Sequence, residues 1–579
     1  MLFRFSIIKK LITIIILFNP LFVLTQGNYP QSYFISPLDI PLNLSGTFGE
    51  LRTDHFHSGI DIRTGEVEGL KVYAIADGYI SRIKVSSGGY GKALYITHPN
   101  GYVSVYAHLQ VFEGAVAGYV KKEQYRRESF DVDLYPDSGR FKVTKGELIA
   151  LSGDSGGSGG PHLHFEIRDV SSEKPINPLL FGYKVTDLTS PVIYLLKIYR
   201  ADSKSMIRNI NSDLAIDVQG SNGLYRISGR DTLLITGKVY LGIQTVDLFN
   251  NGNNKNGVYT ISLMLDSNMV FQQQMETFSF DETRYINSLI DYPERIKNNR
   301  WIQKSYIQPN SRLSIYNQVI DNGIIEFDDN RVHEIIYKVS DAARNESTLK
   351  FHIKSGELKT GSVLNEALSE NITVFSYKHN NRFETENLFF EVPGDALYDT
   401  LTFTYELLPA ARKTVSAVHK LHNNLTPLHN YCDLAIRPDS LPMMMLNKAV
   451  IIKLDDEKGF VSAGGEFSDG YIKTKIREFG NYSVAIDTLA PLIIPVNITN
   501  NKNIAQQSTV KVKITDELSG IAAYRGRLNG KWILMDYDAK NDMLTYFYDD
   551  LLVKGENIFE LTVTDKKNNT SSYQSKLIY

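Results

Sequence analysis

The stretch GGPHLHFEI, residues Gly159–Ile167, places two histidines, His162 and His164, two positions apart. In a β-strand, side chains two positions apart point to the same face. Two imidazoles on one face can bind one metal ion together, or one can bind it while its neighbour takes part in proton transfer. The stretch therefore predicts a strand that carries a metal-dependent hydrolytic site.

A second cluster lies upstream in HSGID, where His57 and Asp61 are four positions apart. Gly59 and the flanking isoleucines favour an extended segment, in which positions of equal parity share a face. The pair supplies one nitrogen and one carboxylate oxygen, and His164 is the natural third ligand. Three protein ligands leave an open position for water, as catalytic zinc requires. A net charge of about +1 then favours polarisation of a carbonyl group and lowers the pKa of bound water.

Two further imidazoles can face the same point without binding the metal. In YAH, Tyr106 and His108 repeat the spacing of two positions, and His162 shares a face with His164. We expect one of His108 and His162 to act as a base and the other to hold the developing oxyanion, and the sequence does not assign the two roles. His55 is an alternative ligand, while His98 in THPNG is expected in a surface turn.

Three motifs in order, LRTDHFHSGIDIRT, VSVYAHL and GDSGGSGGPHLHFEIRD, resemble the lysostaphin-type or LytM zinc endopeptidases, peptidase family M23. The resemblance covers roughly residues 40–182. It implies an antiparallel β-sheet groove, one zinc ion per chain and hydrolysis of peptide bonds in peptidoglycan stem peptides or cross-links by a zinc-bound water. It also implies metal ligands and catalytic residues at matching positions: His57, Asp61 and His164 as ligands, and His108 and His162 as catalytic residues.

Other functions are compatible with parts of this pattern. GDSGG, residues Gly153–Gly157, superficially matches the nucleophile loop of trypsin-like serine peptidases, but no oriented His-Asp pair is evident for Ser155. Some proteins with this domain lack metal ligands and are non-catalytic cell-wall binding or hydrolase-activating modules. All five residues are present here, so we expect catalysis. The β domains beyond residue 187 could also make surface binding the main function.

The ends of the chain and its composition bear on location. Residues 1–26 combine a basic start with an apolar run, which predicts a signal peptide, although a retained anchor is the alternative. We therefore expect export to the periplasm, cell envelope or extracellular space, with no transmembrane span in the mature chain. The net charge of −3 indicates no nucleic-acid partner. The single cysteine, Cys432, excludes an intramolecular disulfide framework.

Short strand-like runs predict a mainly β, all-β fold along the whole chain. We expect the peptidase domain at residues 30–185, with an insertion at about 112–141 that is either a solvated loop or a wall of the groove.

The openers DLTSP and DTLAP and the closers SDAARN and TDKKNN recur. They predict two copies of an immunoglobulin-like β-sandwich at 187–355 and 487–579, the first with an insertion. Residues 356–486 are expected to form a β domain of uncertain type, with Leu407–His422 as the best helix candidate. A protein partner in the envelope, bound by these C-terminal domains, is a further expectation.

Overall fold

The computed structural model describes residues 29–579 except 230, 250–253, 357–372, 456 and 458. The predicted signal peptide, residues 1–26, lies outside the described residues. The chain is 50% strand and 9% helix, which confirms the predicted mainly β fold. Within the described ranges, no helix is long and apolar enough to cross a membrane.

The N-terminal domain is built on an antiparallel sheet. Its strand His162–Asp169 pairs with Ile60–Arg63 on one side and with Tyr102–Ala107 on the other. In spatial order the main strands are Leu44–Gly46, Ile60–Arg63, His162–Asp169, Tyr102–Ala107, Lys92–Thr97, Gly78–Val85 and Val132–Leu134, with Lys142–Val143 and Pro175–Ile176 pairing at their sides. A smaller sheet contains Lys71–Tyr73, Leu148–Ser152 and Leu109–Phe112, and Leu51–Arg52 pairs with His55–Phe56.

The strand His162–Asp169 has one apolar face and one polar face. Leu163, Phe165 and Ile167 are each 0% exposed and belong to the core of the domain. Because side chains alternate along a strand, the histidines and the glutamate between these residues point to the other face. Burial of the apolar face thus fixes which way the polar side chains point.

The predicted insertion at about 112–141 contains a helix, Gly114–Arg127, that the sequence analysis missed. Val116, Val120 and Gln124 on one side of the helix are buried. Tyr125 contacts the C-terminal domain, where its ring lies 5.2 Å from that of Trp532 and its hydroxyl donates to Asp549. The insertion is therefore packed between two parts of the chain and is not simply a solvated loop.

The two segments with recurring openers and closers share a local structure. Asn345 Nδ2 donates to the carbonyl of Asp187 at 3.2 Å, and Asn569 Nδ2 donates to the carbonyl of Asp487 at 3.1 Å. In each segment, the same hydrogen bond from an asparagine side chain to an aspartate carbonyl joins the closer to the opener. The first segment contains Val192–Arg200, Met206–Ile207, Leu214–Ser221, Leu224–Ile227, Thr232–Val246, Thr260–Leu265, Asn268–Gln274, Ile302–Lys304, Tyr316–Val319, Ile325–Phe327, Val332–Ser340 and Glu346–Ser355, with helices Ile286–Leu289 and Tyr292–Asn298. The second contains Leu492–Pro495, Lys502–Asn503, Thr509–Thr515, Ile521–Leu528, Lys531–Trp532, Met535–Asp538, Met543–Phe547, Glu556–Asp565 and Thr570–Ile578.

The helix predicted at Leu407–His422 is wrong. Tyr405–Leu408 and Val418–Leu421 are instead two strands that pair with each other. Pro409 follows the first strand and has no N–H to continue a helical hydrogen-bond ladder. The remaining strands of this middle region are Thr373–Phe375, Asn381–Thr385, Leu388–Val392, Leu401–Phe403, Pro427–Ile436, Ala449–Asp455, Gly459–Gly464, Glu466–Ser468, Tyr471–Glu478 and Gly480–Ile486. Short 3-10 turns occur at Pro178–Phe181, Phe280–Tyr285, Asp321–Gly323, Gly394–Ala396 and Met443–Lys448.

Candidate metal centre

His57, Asp61 and His164 converge on one buried point. Asp61 lies directly opposite His164 in the register between two strands, and His57 precedes the first of these strands. Asp61 Oδ1 lies 3.0 Å from His57 Nε2 and 2.9 Å from His164 Nδ1, and the two nitrogens are 3.0 Å apart. All three side chains are buried. The three predicted ligands therefore form one compact set of donor atoms.

The donor set has a size that suits a tetrahedral zinc ion. Ligand atoms about 2.1 Å from such an ion lie about 3.4 Å from one another. The three donor atoms are 2.9–3.0 Å apart, so an ion requires them to separate by only about 0.4 Å. Two imidazole nitrogens and one carboxylate oxygen are also donors that zinc prefers.

Four histidines surround Asp61, and each has one ring nitrogen anchored by a hydrogen-bond acceptor. The Nδ1 atoms of three of them lie 2.8 Å from the backbone carbonyls of Thr47, Ser155 and Gly160; these are His57, His108 and His162. A neutral imidazole that donates from Nδ1 keeps a lone pair on Nε2. The anchors thus leave the second nitrogen of each ring available for a metal ion or a proton.

His164 is anchored in the opposite sense, by a glutamate that the sequence analysis did not single out. Its Nε2 lies 2.8 Å from Oε1 of Glu166, so its Nδ1 is the atom that faces Asp61. Glu166 is 0% exposed and also accepts hydrogen bonds from Ser58, Tyr90 and Arg168. Its spacing could have identified Glu166 from the sequence, because Glu166 lies two positions after His164 and therefore on the same face of one strand.

The charges of the site favour an ionised aspartate. Burial alone would raise the pKa of Asp61, but His57, His162 and His164 outweigh it and hold this pKa well below its usual range. Arg52 adds a further positive charge, with Nη2 2.8 Å from Asp61 Oδ2. Asp61 therefore offers one carboxylate oxygen to the histidines while its other oxygen is held by Arg52.

His108 and His162 lie beside this set. The ring centroids of His108 and His162 are 4.8 Å apart, and His162 Nε2 is 3.4 Å from Asp61 Oδ1. Burial, reinforced by the neighbouring His164 and His162, lowers the pKa of His108 to about 3. The backbone of His108 has φ +57°, a conformation that costs a non-glycine residue about 1 kcal/mol or more. Tertiary contacts hold His108 in this strained position at the site.

The glycine-rich loop Gly153–Gly160 supplies the backbone anchors for both of these histidines. The loop lies against Gly91, where an added Cβ would be 2.4 Å from Ser155, so only glycine permits this approach. Ser155 Oγ donates to the carbonyl of Leu109 at 2.8 Å and accepts from the amide of Lys92 at 2.9 Å. The Ser155 hydroxyl is thus used inside the loop, and it is the Ser155 carbonyl that contacts His108.

The two remaining histidines of this region lie apart from the cluster. His55 is exposed and its Nδ1 contacts the carbonyl of Thr53. The expectation that His98 lies at the surface is wrong, because His98 is only 3% exposed. Its Nδ1 contacts the Asp77 carbonyl and its Nε2 contacts Ser104 Oγ. Tertiary packing over the turn, which local sequence does not reveal, buries this ring.

The C-terminal domain touches the same glycine-rich loop. Lys540 Nζ lies 2.7 Å from the carboxylate of Asp154 and 3.4 Å from the carbonyl of Ser158. Lys92, which follows the contact at Gly91, forms a further ion pair with Asp536 at 2.9 Å. The loop that positions His108 and His162 therefore contacts the last domain of the chain through Lys540.

Comparisons with known proteins give two family matches and several related sequences. Residues 55–125 match Peptidase family M23, and residues 372–487 match the Zu5-like domain. The chain is 34% identical over 160 residues to the DD-carboxypeptidase/endopeptidase Mpg of Neisseria meningitidis serogroup B, which is 27% of this chain and 30% of that protein. It is 33% identical over 123 residues to an uncharacterized metalloprotease of Haemophilus influenzae, 21% of this chain and 20% of that protein.

Among solved structures, the catalytic domain of lysostaphin from Staphylococcus simulans is 23% identical and is covered over 93% of its length by 25% of this chain, with a TM-score of 0.19. The chain spans less than a third of the length of the curated relatives named above. The matched residues nevertheless include the first two of the converging side chains, His57 and Asp61, and His108. The N-terminal part of this chain carries a domain of peptidase family M23.

Proposed function

We propose that this protein is an exported zinc metalloendopeptidase that hydrolyses peptide bonds in peptidoglycan stem peptides or cross-links. The observation that carries the proposal is the arrangement of four imidazoles around Asp61, each anchored through one nitrogen and each with its other nitrogen available. The family match and the name of the Neisseria relative support the reaction type and the substrate class.

His57, Asp61 and His164 are the residues that would hold the zinc ion. Zinc bound there would act as a Lewis acid and would lower the pKa of a coordinated water toward about 7. Thr47 and Glu166 orient the two histidine ligands, because each accepts the hydrogen bond that fixes which ring nitrogen is free. Arg52 holds the second carboxylate oxygen of Asp61 and limits rotation of that side chain.

His108 and His162 supply the proton chemistry. Their rings face each other at 4.8 Å, and their Nδ1 atoms are fixed by carbonyls of the glycine-rich loop. One imidazole accepts the proton of the attacking water through a neutral Nε2. The other, when Nε2 is protonated, donates from Nε2 to the substrate carbonyl oxygen as negative charge develops there. Burial lowers the pKa of His108 and keeps its ring neutral, so its Nε2 carries a lone pair.

Mass spectrometry of soluble fragments tests this proposal. Purified full-length protein should release peptide-containing fragments from isolated sacculi, and their masses identify the bond that is cut. A zinc chelator should abolish release, and added zinc should restore it. Binding to sacculi without release of any fragment would instead support the alternative of a non-catalytic wall-binding or hydrolase-activating module.

Export is part of the same proposal, since peptidoglycan lies outside the cytoplasm. The predicted signal peptide at residues 1–26 supports it. Cell fractionation with an antibody to the C-terminal domain, combined with N-terminal sequencing, tests it. Recovery of uncleaved protein in the cytoplasm alone would contradict export.

A further inference from the structure

A second group of ligand-type side chains lies outside the peptidase site. Carboxylate oxygens of Asp187, Asp247 and Asp341 lie within 4.8 Å of one another, and all three residues are buried. Asp187 begins the opener DLTSP of the segment 187–355, Asp341 lies in its closer SDAARN, and Asp247 follows the strand Thr232–Val246. Three carboxylates at this spacing repel one another strongly in a buried setting.

Part of this cluster has protein donors. Asp341 accepts hydrogen bonds from the amide and the side chain of Asn345, at 2.9 and 2.7 Å. Asp187 Oδ1 accepts from the amide of Thr189 at 3.0 Å. Among the described residues, no lysine or arginine forms an ion pair with Asp247 or Asp341. These neutral donors satisfy individual oxygens of Asp187 and Asp341 and carry no positive charge themselves.

Asp247 is the member with an unused oxygen. It is 1% exposed, and its Oδ1 has no hydrogen-bond partner among the described residues. A buried carboxylate oxygen without a partner is costly, and native structures rarely retain one without a reason. Burial, together with the carboxylates of Asp187 and Asp341, raises the pKa of Asp247 to about 8. Burial is also the main cause that raises the pKa of Asp341 to about 6.

A fourth, neutral side chain belongs to the residue that pairs with Asp247. Asn256 pairs with Asp247 through two backbone hydrogen bonds of 3.0 and 2.9 Å. Residues opposed in such a pair carry their side chains on the same face, with Cβ atoms about 5 Å apart. Asn256 is 2% exposed, and neither its amide oxygen nor its amide nitrogen has a partner within the described part of the chain. A buried amide oxygen is thus directed to the side on which the carboxylates meet.

We propose that Asp187, Asp247, Asp341 and Asn256 form a calcium-binding site. Three carboxylates and an amide oxygen make an all-oxygen donor set, which a hard cation prefers and which contrasts with the nitrogen-rich set around Asp61. Calcium tolerates irregular geometry and accepts six to eight oxygens, so carbonyls and water can complete its coordination. The ion would neutralise the buried charge and occupy the unpartnered oxygens of Asp247 and Asn256.

The place of the site suggests what the ion stabilises. Gly257, next to Asn256, donates its amide to Thr47 Oγ1 at 2.9 Å and accepts from that hydroxyl at 3.3 Å. Thr47 belongs to the peptidase domain, and its carbonyl anchors His57. Calcium would therefore stabilise the contact between the peptidase domain and the segment 187–355.

The related cluster in the last domain is built differently. Asp516 is only partly buried, and its Oδ2 accepts amide hydrogen bonds from Leu518 and Gly520. Asp487 Oδ2 accepts from the amide of Ser519. Because protein donors already satisfy these oxygens, we assign calcium to the first cluster only.

Equilibrium dialysis against radioactive calcium tests the proposal on full-length protein that has been loaded with zinc. Wild-type protein should bind one equivalent more than Asp247→Asn, which is nearly isosteric and removes one ligand charge. Asp217→Asn, at an exposed position of the same domain, should bind as much calcium as wild type. Equal binding by wild type and Asp247→Asn, or no binding by wild type, would overturn the assignment.

Thermal unfolding gives an independent reading and guards against a misfolded variant. Without calcium, Asp247→Asn should unfold at a temperature no lower than wild type, because it relieves repulsion. Saturating calcium should raise the unfolding temperature of wild type and of Asp217→Asn but leave that of Asp247→Asn unchanged. Asn256→Ala keeps all three charges and should weaken calcium binding severalfold. Unchanged calcium affinity in both Asp247→Asn and Asn256→Ala would show that these oxygens do not bind the ion.

Discussion

Oε1 of Glu166 lies 2.8 Å from Nε2 of His164, and both side chains are buried on one strand. The contact determines which nitrogen of His164 faces Asp61. It also joins the three donor atoms to a buried network in which Arg168 Nε lies 2.6 Å from Glu166 Oε2. Glu166 is therefore the positioning residue on which the orientation of His164 depends.

Replacement of this glutamate should weaken metal binding without removing a ligand. In Glu166→Gln the acceptor of the His164 proton loses its charge, and Arg168 loses its buried partner. We expect zinc affinity to fall about 10–100-fold, as measured by competition with a fluorescent chelator. Glu173→Gln, at an exposed turn of the same domain, serves as the matched control. Wild-type zinc affinity in Glu166→Gln would show that His164 is oriented by other contacts.

Ser155 separates the metallopeptidase from the serine peptidase hypothesis. Its hydroxyl bridges the Leu109 carbonyl and the Lys92 amide, so Ser155→Ala should cost about 1 kcal/mol of stability. We expect Ser155→Ala to retain most peptidase activity on sacculi and the wild-type enzyme to resist serine-directed inhibitors. Loss of activity by several orders of magnitude in a folded Ser155→Ala variant would instead indicate a nucleophilic serine.

Lys540 should affect turnover from outside the peptidase domain. It contacts Asp154 and Ser158 in the loop whose carbonyls anchor His108 and His162. In Lys540→Ala we expect faster amide hydrogen exchange in this loop and a severalfold lower turnover, with zinc content unchanged. Lys554→Ala, at an exposed position of the same domain, should change neither quantity. Wild-type exchange and turnover in Lys540→Ala would show that the loop is held by its own contacts.

The buried side chain of Lys304 should make the free energy of unfolding depend on pH. Burial lowers its pKa to about 8 in the folded protein, against an ordinary value of 10.5. Between these two pH values the unfolded chain binds more protons than the folded chain, so the free energy of unfolding should rise with pH. The rise should reach at most about 3 kcal/mol and should vanish in Lys304→Met. Denaturant unfolding from pH 7.5 to 10.5 measures the free energy of unfolding of the wild type and of Lys304→Met. If this free energy changes with pH by the same slope in the two proteins, Lys304 is not neutral in the folded wild type.

The convergence of His57, Asp61 and His164 could be predicted from the sequence because side-chain parity is a local property. His162 and His164 share a face in any strand, and the structure pairs His164 with Asp61 in register. The hydrogen bonds from the histidines to the carbonyls of Thr47, Ser155 and Gly160 could not be predicted, since every residue has a backbone carbonyl whatever its side chain. Glu166 could have been found from its spacing, because it continues the polar face after His164 by two positions.

Helices were predicted poorly for a related reason. The helix Gly114–Arg127 has few apolar side chains, and its burial depends on distant contacts such as Tyr125 with Trp532. The incorrect helix at Leu407–His422 relied on apolar spacing that is shared by two short paired strands. In both cases tertiary contacts override weak local preference.

Zinc content and peptidase activity, measured together on five single variants, test the central claim most directly. Alanine at His57, Asp61 or His164 should remove both bound zinc and release of fragments from sacculi. His108→Ala and His162→Ala should keep one zinc ion per chain and lose release. Full activity in either of the last two variants, or a wild-type protein that cannot retain zinc, would contradict the account.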